Sequence, residues 1–89
     1  MGTYFFPLIR REDFEAFRRV MNDEFPATFE KWRYLRLKEI ADEQGAGQTT
    51  IEVQIDPDEF AEFCLSSGTS PDRDSLYRLA RRKGLVNNK

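Results

Sequence analysis

The phrase IRREDFEAF, from Ile9 to Phe17, returns as IDPDEFAEF, from Ile55 to Phe63, at an offset of 46 (55 minus 9). Both copies read I-x-x-[DE]-[DE]-F-x-x-F. Glu12-Asp13 meets Asp58-Glu59, Phe14 meets Phe60, and Phe17 meets Phe63. The physical content is structural: an apolar residue closes a strand toward the core, an acidic pair favours the positive end of a helix, and two aromatics three apart share one buried helical stripe. No active site is needed to account for it, and the same grammar opens many helices. Beyond the phrase, Pro26 and Pro71 each precede a helix, and Trp32-Arg33 falls opposite Tyr77-Arg78 at an offset of 45 (77 minus 32). The chain therefore reads as two strand-helix-turn-helix halves, 3–44 and 49–84, with a tail at 85–89 that is expected to fray.

The elements follow from local signals. TYFFPLI, Thr3 to Ile9, is aromatic and branched enough for a strand, and Pro7, which has no N–H for a ladder, demands an edge or a bulge. From Arg11 to Asn22, Phe14, Phe17 and Met21 recur at three- and four-residue steps and predict a first helix, broken at Pro26. Thr28 is the cap of a second helix running to about Gln44, with Gly45 as its left-handed stop. TTIEVQI, Thr49 to Ile55, alternates cleanly, placing Ile51, Val53 and Ile55 on one side. Asp56, Pro57 and Glu59 then supply cap, first-turn proline and capping box for a third helix that ends at Gly68. Ser70-Pro71-Asp72 repeats the start signal for a fourth, ending near Gly84.

The fold class that results is α+β: one small domain over 1–89, with two short strands and four helices. A βαα-βαα pseudo-repeat suggests the two halves related by an approximate two-fold axis, their strands paired antiparallel and their helices over one face. Alternatively the strands pair with those of a second copy. A two-stranded ribbon is weak without such cover.

Composition supports a packed core. The apolar fraction is 39%, and 8 Phe, 3 Tyr and 1 Trp supply large buried area per residue. Lys and Arg number 14 against 16 Asp and Glu, a formal charge of -2, so no strong field selects nucleic acid or an anionic membrane. The one cysteine excludes an intramolecular disulfide, and no apolar run approaches the roughly 18 residues of a membrane span. The N-terminus carries no signal-peptide pattern, and a cytoplasmic location is the expectation.

Catalysis has little to stand on. There is no His, which removes the commonest general base near neutral pH. Cys64 shares a helical face with Phe60 and Phe63, so burial should leave it an inert structural thiol. GAGQ, Gly45 to Gln48, leaves a helix and enters a strand, the reverse of a phosphate cradle. The acidic clusters at Glu12-Asp13, Asp56-Asp58-Glu59 and Asp72-Asp74 each stand where a helix begins, and capping accounts for them. No enzyme activity, cofactor or metal is expected.

Two binding readings remain. The apolar residues of the second helix spread around most of its circumference, which suggests contact residues Trp32, Tyr34 and Leu37 for another protein or a second copy of the chain. The fourth helix ends in a basic cluster, and with the Gly-containing connection before it resembles a helix-turn-helix in outline; Arg78, Arg81 and Arg82 would then meet DNA. Acid first and base last is also the order the helix dipole rewards, so the first reading is preferred.

Overall fold

Thr3–Leu8 forms strand β1 and Thr49–Gln54 strand β2. In the computed structural model of the chain, which describes residues 2–21 and 25–87, they lie side by side and parallel, Thr3 opposite Thr49 through Leu8 opposite Gln54. The antiparallel pairing expected from the sequence is thus corrected. The connection allows it: the forty residues between these strands, 9–48, make a helical crossover long enough to return the chain in the same direction, which a parallel pair requires. The register is 49 minus 3, again 46, so one step past the paired residues, Ile9 and Ile55, which open the two copies of the phrase, follow the strands at the same offset. Parallel strands in register are related by a sideways shift, which removes the two-fold relation between the halves.

The helices start for the local reasons given above. A single 3-10 turn, Arg11–Asp13, leads into α1, Phe14–Val20. The expected end of that helix at Asn22 lies outside the described residues. Helix α2, Phe29–Gly45, is capped by Thr28, whose hydroxyl accepts from the Lys31 N–H at 3.2 Å. It runs through Gly45, and Gly47 instead takes the left-handed turn, at φ 86°. Helix α3, Pro57–Ser67, has both arms of its capping box, with the Asp56 N–H donating to Glu59 Oε1 at 2.8 Å, and Gly68 at φ 66° closes it. Helix α4, Arg73–Asn87, follows Asp72, which accepts from the Ser75 N–H at 2.9 Å.

Gly84 does not stop α4, which continues through the residues expected to fray as far as Asn87. It is buried against the Phe5 ring, where a Cβ would lie 2.2 Å from Cδ1. Phe5 and Phe6 point to opposite faces of β1. Gly84 holds α4 against the Phe5 face, while Arg33–Glu52 and Gln44–Thr50 contacts hold α2 against the other. Helices therefore cover both faces of the sheet, which corrects the expected one-face arrangement.

Ile9, Ile55, Phe14, Phe17 and Phe60 all join one core with Trp32, Val53, Cys64, Leu76, Leu79 and Ala80. Phe17 of the first copy and Phe60 of the second, which are not matching positions, meet with ring centroids 5.7 Å apart. The equivalence weakens at Phe63, which is only half-buried where Phe17 is fully enclosed. The radius of gyration, 12.9 Å, is close to the roughly 12 Å of a compact domain this long, as a single core implies. Among the described residues no helix is long and apolar enough to cross a membrane.

Candidate functional site

The hydrogen-bond pattern of the sheet decides which backbone groups are spoken for. The Thr49 N–H donates to Gly2 O and the Ile55 N–H to Leu8 O, each at 3.0 Å. Alternation along a parallel ladder then turns Thr49, Ile51, Val53 and Ile55 toward β1, and Thr50, Glu52 and Gln54 outward. On β1 the outward residues are Thr3, Phe5 and Pro7, so the missing N–H of Pro7 faces away from its partner and blunts that edge. The outer edge of β2 carries no such block. Its Gln54 carbonyl accepts from Lys83 Nζ at 2.6 Å, but among the described residues nothing accepts from the Thr50 and Glu52 N–H groups.

Beside that open edge runs one flank of α2. Arg33 pairs with Glu52 and Gln44 donates to Thr50 Oγ1 at 2.9 Å, which ties this flank to β2. Leu37 lies within about 40° of both around the helix axis. It is 48% exposed, Tyr34 is 60% exposed, and Ala41 beside them is also exposed. Trp32 is different. It is wholly buried, its ring stacked on Phe29 with centroids 6.1 Å apart, so it holds α2 to the core and offers no surface.

On α4, Arg78, Arg81 and Arg82 are exposed and share the outward side of the helix. No carboxylate pairs with any of them among the described residues; Arg82 lies over the Phe63 ring, 6.0 Å from its centroid. The first turn of α4 is turned inward at Ser75 and Leu76. Arg73 and Asp74 are exposed at its start, so the three arginines stand after the turn with which a recognition helix usually reads bases.

A cleft of about 540 Å³ opens on the other flank of α2, walled by Met21, Phe25, Leu35 and Leu76, with Lys31, Arg36, Arg73 and Tyr77 as its polar lining. Arg36 is only 7% exposed. Its guanidinium lies between the rings of Trp32 and Tyr77, 5.6 and 5.9 Å from their centroids, and its Nε meets Glu39 Oε1 at 3.1 Å without hydrogen-bond geometry. The Tyr77 hydroxyl donates to the same oxygen at 2.5 Å, and Arg73 pairs with Glu39 Oε2. Burial, and then the carboxylate it bonds, raise the Tyr77 phenol far above its ordinary value. Burial would raise the Glu39 carboxyl, but the bonds from Tyr77 and Arg73 and the charge of Arg36 outweigh it and hold that carboxyl below its ordinary value. Sequence reading singled out none of this cluster. Its one signal was a charged residue, Arg36, on the same side of α2 as Phe29 and Ile40.

The acidic clusters stay with their helices. Asp56 and Glu59 close the capping box, Lys83 Nζ lies 2.7 Å from Glu59 Oε1, and Arg10 spans Asp13 at 2.9 Å and Asp56 at 3.6 Å. Asp13 caps nothing with its side chain, contrary to the expectation for that cluster. No three His, Cys, Asp or Glu side chains among the described residues are placed to hold a metal ion. Cys64 is buried, and that burial raises its thiol pKa, as the reading of a structural thiol requires. Comparisons of the chain with protein-family models, with curated proteins and with solved structures give no match.

Proposed function

We propose that this chain is a non-enzymatic protein-interaction module whose first partner is a second copy of itself, joined through β2. The observation that carries the reading is the coincidence of two unmet needs on one side of the molecule. The Thr50 and Glu52 N–H groups lack acceptors among the described residues, and the exposed Leu37, Tyr34 and Ala41 side chains stand next to them. A two-stranded parallel sheet is below the usual size, and an open edge is a template for another strand. A second β2 running antiparallel would extend the sheet to four strands and bring two α2 flanks together on one face. Such a contact is self-complementary under a two-fold axis, as closed dimers require. With Ile51 on the axis, Thr50 opposes Glu52 of the second copy, and two Glu52 carboxylates do not face each other.

Light scattering tests this. The native chain should have twice the chain mass at micromolar concentration, and Leu37→Glu, which places a charge on the covered flank, should halve it with an unchanged circular dichroism spectrum. A native chain of single mass up to millimolar concentration would refute self-association.

Arg78, Arg81 and Arg82, exposed on α4 and paired with no carboxylate among the described residues, favour a second reading, DNA binding. Gathered past the first turn of the helix, these side chains would contact phosphates and not bases. Binding to a short duplex should then weaken with salt, and Arg81→Ala with Arg82→Ala should lower the slope of log affinity against log salt by about two. An unchanged slope would remove the reading.

A further inference from the structure

We infer that the cleft between α2 and α4 is a binding site for small apolar monocarboxylates, with the Arg36 guanidinium as its anchor. It faces away from Leu37 and does not depend on the dimer. Arg36 is a charge more than nine-tenths buried that lines the cleft, and among the described residues its guanidinium donates no hydrogen bond, its buried Nε included. Leaving buried guanidinium donors unmet is costly, so the site calls for an acceptor. Glu39 cannot turn to meet them. Its Oε1 already takes the Tyr77 hydroxyl and faces Arg36 Nε, and its Oε2 holds Arg73. The Trp32 and Tyr77 rings clamp the guanidinium in place before any ligand arrives, which reduces the ordering cost of binding.

The ligand class follows from the shape of the donors and the walls. Two Nη groups of one guanidinium present parallel N–H bonds to the two oxygens of a carboxylate. Met21, Phe25, Leu35 and Leu76 then leave an apolar body as the matching remainder, and 540 Å³ is within the usual range for small-molecule sites. Lys31 and Arg73 add further cations in the lining and disfavour ammonium ligands.

The test titrates isotope-labelled native protein with octanoate, octan-1-ol and octylammonium. Octanoate should shift the Leu35, Arg36 and Leu76 amides and bind at least about tenfold tighter than octanol, a margin typical of a charge-assisted pair. Arg36→Met, which keeps an apolar stem, should erase that preference. Equal binding of octanoate and octanol to the native chain would overturn the proposal even if Arg36→Met does not fold. So would shifts confined to other parts of the molecule, or no binding by any straight-chain acid of about four to twelve carbons.

Discussion

At the scale of the residue, two side chains change meaning once their neighbours are known. Gly84 reads as a helix stop because glycine is the commonest residue just past a helix end. It is instead the place where α4 passes close to the Phe5 ring. Glycine inside a helix costs about 1 kcal/mol relative to alanine, so on propensity alone Gly84→Ala should stabilise. The close approach decides otherwise. A methyl 2.2 Å from Cδ1 and 2.5 Å from Cε1 forces the ring or the helix to move, and overpacking of this kind costs about 1–3 kcal/mol. Gly84→Ala should therefore lower the urea midpoint, and Phe5→Leu combined with it should cost less than the two changes summed. A raised midpoint would mean that the ring yields freely. Trp32 illustrates the same limit. Its position among the apolar residues of α2 was legible in the sequence, but which of several apolar sides faces inward depends on what packs there.

At the scale of the element, the strands and helices were legible because each carries its own grammar: alternation in β2, the Asp56-Pro57-Glu59 box before α3, Thr28 before α2. Strand direction was not, since alternation is the same in a parallel and an antiparallel partner. The register of 46 stood in the sequence as the spacing of the repeated phrase, although its meaning as a sideways step emerged only with the pairing. Pro7 was legible as an edge residue, and the alternation of ladder bonds explains how it is tolerated. The same logic makes a prediction for β2. Thr50→Pro removes an outward N–H and should leave a folded monomer, whereas Ile51→Pro removes a bond to β1 and should cost about 3 kcal/mol or more. Circular dichroism with light scattering separates the two. A Thr50→Pro chain that stays dimeric would place the interface elsewhere.

At the scale of the whole molecule, function depends on surfaces that no single segment encodes. The Arg36 cleft brings together Met21 and Phe25 with α2 and α4, and the β2 face joins a strand edge to a helix flank. Residues that meet only through the crossover leave no local pattern, which is why Arg36, Glu39 and Tyr77 were not singled out, whereas the exposed arginines of α4 were. The central claim is that the open edge of β2 is completed by a second copy. Amide hydrogen exchange, read residue by residue at two protein concentrations, tests it most directly. The account predicts that the Thr50 and Glu52 amides, which have no acceptor among the described residues, are protected and that their protection rises with protein concentration. Exchange of both at the rate of free peptide at every concentration would contradict it.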